Sequence, residues 1–350
     1  MSVVRAARAF GSLAFAVARS NVGSKKPFKA TVVLTERCDC RCEICWIWKK
    51  PKGAEPSPQD VARFLSQAKT IRWLNLTGGE IFLRDDVPEI AEAAVAAEPR
   101  LAVLDFPTTG QRTDVIVRAV ERIARLRVPR FFVTVSLEGP PDLHDALRGR
   151  PGAFDHMIET FRALRRVRGA KAFLGLTLSE KNAHAVPEAM EAVRSRLPGF
   201  SEREVHVNVA TWSGHYYDNL NAGVVKPLDP RAALRPFLAR RRSGWSPTDR
   251  LEAAYLSRVP EHVRTGRSPL PCRSLFTSVF LAPSGDVHPC TVYGRPLGNA
   301  YATPLPEILA TPEAEDARRV IANDRCPGCW SPCEAYQTIL SNLPRALLGA

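Results

Sequence analysis

Cysteine is the residue type whose placement carries chemistry in this sequence. Nine cysteines fall into two groups, Cys38, Cys40, Cys42 and Cys45 in one, Cys272, Cys290, Cys326, Cys329 and Cys333 in the other. Thiolates are soft ligands that suit iron–sulfur clusters or zinc. Cys38, Cys42 and Cys45 have C-x3-C-x2-C spacing, which can bind three irons of a cubane and leave the fourth iron open to another ligand. A structural zinc site normally takes four protein ligands, and Cys40 could complete one. Spacing alone leaves both metals open. A disulfide scaffold belongs to short secreted chains, whereas this chain has 350 residues and no convincing secretory signal. Tight C-x-x-C pairs in a reducing compartment point to metal.

These ligands need elements to position them. From residue 30 to about 210, short apolar runs alternate with helical stretches. Strands are expected over Ala30–Leu34, Trp73–Leu76, Leu101–Phe106, Phe131–Ser136, Ala172–Leu178 and Val205–Val209. Helices are expected between them, over Pro58–Ala68, Val87–Ala97, Asp114–Leu126, Phe154–Val167 and Val186–Arg196. Ser57 before Pro58 is an N-cap followed by a residue suited to the first helical position. Repeated βα units predict a parallel sheet with helices outside it, and functional residues at the C-terminal strand ends. Cys38, Gly78 and Thr108 follow or end the first three strands, and Ser136 ends the fourth. Barrel and open sheet are not separable on spacing. After residue 210 the rhythm stops. A loop is expected over Thr211–Pro230, then helices over Arg231–Arg241 and Asp249–Arg258. Phe276–Leu281 and Val287–Val292, joined by Pro283-Ser284-Gly285-Asp286, read as a hairpin. A last helix is expected over Glu313–Ile321.

The run from Leu34-Thr35-Glu36-Arg37-Cys38 to Cys45 resembles the signature of the radical S-adenosylmethionine superfamily. That resemblance implies an α/β fold, a partial (β/α)6 TIM-like barrel, with Cys38, Cys42 and Cys45 binding a [4Fe–4S] cluster. Cys40 is then a bystander thiol, and Ile44 packs near the adenine. Thr77-Gly78-Gly79-Glu80 resembles the family's motif for the methionine amino group, implicating Gly78, Gly79 and Glu80. By the same analogy Ser136 and Glu138 face the ribose or methionyl end, and Arg148 pairs with the cofactor carboxylate. The spacing Cys272-x12-Gly285-x4-Cys290, followed by Cys326, Cys329 and Cys333, resembles a shortened SPASM or twitch extension. It implies a small cysteine-rich α+β domain with one auxiliary [4Fe–4S] cluster. Its ligands are Cys272, Cys290, Cys326 and either Cys329 or Cys333, with Cys329 favoured. The chain then divides into an N-terminal helix and lead-in (1–27), the barrel (28–230), a helical linker (231–265) and the auxiliary-cluster domain (266–350).

The activity implied is reductive cleavage of S-adenosylmethionine to a 5′-deoxyadenosyl radical, followed by hydrogen abstraction from a substrate. An external one-electron donor such as flavodoxin or ferredoxin is expected. A peptide is the favoured substrate. A small alcohol or sugar-like metabolite and a lipid or membrane-linked substrate are the alternatives. Trp212, His215 and Tyr217, in the loop after the sixth strand, are expected to line the substrate site; the competing reading is an interface plug.

Net charge is 49 − 36 = +13, and the first acidic residue is Glu36. The excess favours anionic partners in general. A non-enzymatic iron–sulfur or zinc protein that binds nucleic acid is the alternative from another class. Nucleic acid is not expected, because no recognition module is present. At the N-terminus Ala9–Ala18 is apolar. Arg5, Arg8 and Arg19 share one helical side, and Phe10, Leu13, Ala14 and Val17 lie roughly opposite. Such a helix either docks across the barrel's open end or lies on an anionic membrane. The expected location is cytoplasmic, with a peripheral membrane position open.

Overall fold

Apolar and polar residues alternate along the strands of this chain, because each strand buries one side against helices and turns the other inward. A computed structural model describes residues 3–223, 229–241 and 244–348. The loop expected over Thr211–Pro230 therefore lies partly outside the described residues. The N-terminal helix α1 spans Val3–Asn21. The βα units follow as β1 (Lys29–Thr35), α2 (Pro58–Gln67), β2 (Trp73–Gly78), α3 (Val87–Ala97), β3 (Val103–Thr108) and α4 (Thr113–Ala124). Next come β4 (Arg130–Leu137), α5 (Pro141–Arg148), α6 (Ala153–Leu164), β5 (Lys171–Leu178), α7 (Val186–Arg196) and β6 (Val205–Val209). The remainder holds α8 (Pro230–Arg240), α9 (Pro247–Leu256), α10 (Val259–Thr265), β7 (Ser278–Leu281), β8 (Val287–His288), α11 (Leu305–Leu309), α12 (Pro312–Ala322), α13 (Pro332–Leu340) and α14 (Leu343–Leu348).

All eight strands form one sheet in the order β6-β5-β4-β3-β2-β1-β7-β8. Strands β1 to β6 are parallel, so each crossover helix lies outside the sheet. Val32, Leu34, Leu74, Leu76, Leu104, Phe106, Val133 and Val135 face those helices and form the main core. Ser57 caps α2 through a capping box, its hydroxyl accepting from the Asp60 amide at 3.2 Å.

Strand β7 pairs in parallel with β1, and β8 returns antiparallel to it. The expected hairpin is thus shorter than Phe276–Leu281 and Val287–Val292. Its second arm stops at His288 because Pro289 has no amide to continue the ladder; farther on, Val292 and Tyr293 donate to Cys290 Sγ at 3.4 and 3.1 Å.

Helix α1 crosses the N-terminal ends of the strands. Ala9 and Leu13 pack on Trp73, Ala102, Val103 and Phe132. At its far end Ser20 Oγ donates to Ser341 Oγ at 2.9 Å and Asn21 Nδ2 to the Leu340 carbonyl at 2.7 Å. Phe10 and Ala14, grouped with Leu13 opposite the arginines, are exposed. Among the described residues no helix is long and apolar enough to cross a membrane.

Candidate active site

The first cysteine group occupies the loop after β1, at the C-terminal end of the sheet. Backbone bonds clamp this loop from two sides. On one side Arg41 N donates to Arg148 O at 2.8 Å and Glu43 N to Leu147 O at 3.1 Å. On the other, Trp46 N donates to Tyr217 O at 2.8 Å, and Asn219 Nδ2 donates to Ile44 O at 2.8 Å. Ile44 is half-buried.

Gly78 and Gly79 are required by the closeness of β2 to this loop. A Cβ on Gly79 would stand 2.1 Å from the Arg37 carbonyl and 2.9 Å from the Cys38 Cβ. One on Gly78 would stand 2.2 Å from the Thr35 carbonyl, at a φ of +153°. The glycines let the strand end touch the cysteine loop; any side chain would push the loop away.

Glu80 is wholly buried and already committed. Oε1 accepts from Phe82 N at 3.0 Å. Oε2 accepts from Thr108 Oγ1 at 2.8 Å, Thr109 N at 2.5 Å and Thr109 Oγ1 at 2.7 Å. Burial raises its carboxyl above the ordinary value, and these donors oppose that. In this geometry Glu80 first of all ties the ends of β2 and β3 together.

Arg148, the last residue of α5, points its Nη1 at Cys42 Sγ, 3.2 Å away. Its Nε and Nη2 are buried without partners. Glu138 stands 3.9 Å from Arg148, and its Oε2 is equally unpartnered. Burial pushes the Glu138 carboxyl up to about 8, with Arg148 pulling the other way. Asp39 Oδ2 accepts no hydrogen bond and stands 3.8 Å from Arg150 Nη1. Unmet buried donors and acceptors are costly, so this cluster suits a zwitterionic, hydroxyl-bearing ligand that would satisfy both signs. Ser136 Oγ donates to Thr108 O at 3.3 Å, at the same strand ends.

The thiols have the chemistry of a metal site. Burial pushes Cys38 and Cys45 up to about 12, so neither ionises unaided near neutrality. A cation replacing the proton would offset that penalty. Cys42 is held down to about 6 by a hydrogen bond from Cys40 and by Arg148. Cys40 is fully buried and serves Cys42 in this way. Among the described residues no group of His, Cys, Asp or Glu closes tightly enough to hold a single metal ion.

The second group surrounds one cavity, lined by Cys272, Cys290, Cys326 and Cys329, with Tyr293 and Asp324 at its edge. Burial raises all four of these thiols. Four soft ligands around one space, with two amides on the Cys290 sulfur, fit an iron–sulfur cluster. Cys333 is not in that wall. It lies in the first turn of α13, and its carbonyl accepts from Lys29 Nζ.

The loop from Thr211 links the two groups. Tyr216 hydrogen-bonds Thr77 Oγ1 at 2.9 Å and packs on Tyr217 and Phe280. Tyr217 packs with Cys38 and Cys45 against the small core of Val33 and Phe280. Burial raises its hydroxyl well above the ordinary value, and Cys333, Cys45 and Cys329 all add to that. His215 uses both ring nitrogens, Nε2 on the Cys290 carbonyl at 3.0 Å and Nδ1 with Ser213 Oγ at 3.2 Å. It stacks on His288 at 4.7 Å and borders an open groove of about 480 Å³ with Tyr293 and Arg295. Trp212 is half-buried on the same loop.

Sequence reading missed the inward-facing polar set. Asp105 accepts from Trp73 Nε1 and Asn75 Nδ2, each at 2.5 Å. Lys29 Nζ donates to Gln337 Oε1 at 3.2 Å and to the Cys333 carbonyl, tying α13 into the barrel. His206 meets Glu252 at 3.1 Å. The signal was available: Lys29 and Thr31, Trp73, Asn75 and Thr77, and His206 and Asn208 recur at every second position.

Comparison with known proteins gives matches along most of the chain. Residues 32–193 match the Radical SAM superfamily, and residues 272–330 match SPASM, an iron–sulfur cluster-binding domain. The antilisterial bacteriocin subtilosin biosynthesis protein AlbA of Bacillus subtilis (strain 168) is 21% identical, covering 87% of this chain and 67% of AlbA. The AdoMet-dependent heme synthase of Nitratidesulfovibrio vulgaris is 22% identical, covering 87% of this chain and 84% of that protein. Among solved structures, Streptococcus suis SuiB bound to S-adenosylmethionine superposes with a TM-score of 0.60 at 16% identity, covering 83% of this chain and 68% of SuiB. SuiB bound to precursor peptide SuiA gives 0.58 at 17% identity, over 83% and 66%.

Proposed function

We propose that this chain, which belongs to the radical S-adenosylmethionine superfamily and carries a SPASM domain, oxidatively modifies a peptide. Its cofactors are a [4Fe–4S] cluster that binds S-adenosylmethionine, an auxiliary [4Fe–4S] cluster, and S-adenosylmethionine itself. We assign Cys38, Cys42 and Cys45 to the first cluster and Cys272, Cys290, Cys326 and Cys329 to the second. The barrel is taken as 28–230 behind the lead-in 1–27, and the auxiliary region as 266–350 after the linker 231–265. Nine unpaired cysteines suit a reducing, cytoplasmic setting.

Cys38, Cys42 and Cys45 would hold the first cluster, which would supply the electron for reductive cleavage of S-adenosylmethionine and so for hydrogen-atom abstraction from the substrate. The protein's part is orientation and exclusion of water. Arg148 offers two unpartnered donors for the cofactor carboxylate, and Glu138 an acceptor for a ribose hydroxyl. The backbone of Gly78 and Gly79 would receive the methionine amino group, and Glu80 holds the strand end that would present it. Ile44 would cover the adenine, and Ser136 would lie beside the ribose. Tyr217 and Trp212 form the substrate wall. His215 acts as the positioning residue that joins this wall to the hairpin.

One observation carries the oxidative reading: a single loop touches both cysteine regions, the Tyr217 carbonyl accepting from Trp46 N at 2.8 Å just after Cys45, and His215 Nε2 meeting the Cys290 carbonyl at 3.0 Å. The peptide reading is supported by AlbA's role in bacteriocin biosynthesis, by SuiB's precursor peptide, and by the open groove beside Cys290. The test is to offer peptides specifically deuterated at candidate positions and to look for deuterium in the 5′-deoxyadenosine formed.

A tetrapyrrole substrate is the second reading. It is favoured by coverage: the chain matches 84% of the heme synthase but only about two thirds of AlbA and SuiB. Deuterium transfer from a labelled porphyrin propionate, with none from any peptide, would select it.

A further inference from the structure

We propose that the end of the barrel opposite the cysteines is a docking face for an anionic lipid bilayer. Seven large apolar side chains are exposed among the described residues, and four belong to α1 or the residue just beyond it. They are Val4 (58% exposed), Phe10 (37%), Phe15 (68%) and Val22 (85%). With Ala7, Gly11, Ala14 and Ala18 also exposed, the solvent side of α1 is almost wholly apolar, and Arg8 is its one exposed cation. The inner side is already occupied by the strand ends, so this is a second apolar face on one helix. Contiguous exposed apolar faces mark contact surfaces.

The charge around that face decides the occupant. The α-to-β loops open at the N-terminal strand ends, the end that α1 crosses. Lys69, Arg125, Arg127, Arg166 and Arg168 sit in or beside these loops, all exposed and, among the described residues, in no ion pair. Arg130 binds the two features together, its guanidinium lying 5.2 Å from the centre of the Phe10 ring. The first 35 residues contain no acid at all. A second copy docked through this face would bring unneutralised cations together. Anionic headgroups neutralise them while the acyl boundary takes Phe15, Val4 and Val22. The runs Arg125–Arg130 and Arg165–Arg168 are far apart in sequence, and only the barrel brings them to the same end as α1.

This orientation has a consequence for substrate choice. The cysteine loop and Gly78-Gly79-Glu80 lie at the other end of the strands, so a membrane-bound molecule turns its active site toward water. A lipid within that bilayer is then not the substrate. The inference stands on surface chemistry and does not depend on the reaction proposed above.

The test uses full-length, cluster-loaded protein sedimented with vesicles of phosphatidylcholine alone or of equal parts phosphatidylcholine and phosphatidylglycerol. The protein is expected on the anionic vesicles and not on the zwitterionic ones, and high salt should release it. Phe15→Glu with Val22→Glu should weaken binding at least about tenfold, and Arg166→Glu with Arg168→Glu by a similar factor. All four side chains are exposed, so iron content and thermal midpoint should stay at wild-type values. Equal binding to both vesicles, or to neither, overturns the proposal. So does an undiminished affinity in the loop variant, or a dimer in sedimentation velocity that the helix variant abolishes.

Discussion

Arg148 donates a hydrogen bond to the sulfur of Cys42 at 3.2 Å while two of its other nitrogens remain buried and unpartnered. One edge of the guanidinium therefore reads the cluster loop, and the rest is free for an anion. The backbone on either side adds to this, because Arg148 and Leu147 carbonyls hold the amides of Arg41 and Glu43.

Replacing Arg148 by glutamine keeps the backbone clamp and removes the charge. Iron content should stay near wild type, and S-adenosylmethionine affinity should fall by about tenfold or more, as for loss of a charge-assisted pair. Equilibrium dialysis on the reconstituted protein measures this. Unchanged affinity would remove Arg148 from the cofactor site.

Gly79→Ala forces a Cβ to within 2.1 Å of the Arg37 carbonyl, a contact that backbone cannot absorb in place. The cysteine loop must shift, and the variant should retain only the auxiliary cluster, about four irons per chain. Iron and sulfide assays that return the wild-type count would contradict the close approach.

Glu80 accepts four hydrogen bonds, so its alanine variant should lose stability as well as activity. Stranded donors on Thr108 and Thr109 cost roughly 1–3 kcal/mol. The thermal midpoint should drop, and glutamine should restore part of it. An alanine variant of normal stability that fails only in cofactor cleavage would show that Glu80 serves the cofactor directly.

Much of this architecture is legible in the sequence, and the parts that are not have a common cause. Val205–Val209 reads as a strand from its β-branched alternation, and its bounds coincide with β6. The cysteine spacings are local and so are read directly. The hydrogen bonds of Glu80 are not legible because its donors at Thr108 and Thr109 end or follow the next strand and arrive only by sheet pairing. The same holds for Lys29 and Asp105, whose partners lie on other elements. Helix α1 misleads for another reason. The helical wheel gives its two sides, but only the strand ends show that Leu13 turns inward and Phe15 outward.

Cys329 and Cys333 should separate cleanly. Cys329 lines the cavity with Cys272, Cys290 and Cys326, whereas Cys333 lies outside that lining, its carbonyl accepting from Lys29 Nζ. Cys329→Ser should lose the auxiliary cluster, and Cys333→Ser should keep about eight irons. The reverse outcome would exchange their roles.

The central claim is that two separate cysteine groups hold two iron–sulfur clusters, the first of which cleaves S-adenosylmethionine. The most direct measurement follows 5′-deoxyadenosine in anaerobically reconstituted, dithionite-reduced protein, alongside its metal content. Wild type should contain about eight irons and form 5′-deoxyadenosine. The triple change of Cys38, Cys42 and Cys45 to alanine should halve the iron and abolish the product. Stoichiometric zinc in the anaerobically isolated protein, or full iron loading with no 5′-deoxyadenosine, would contradict the account.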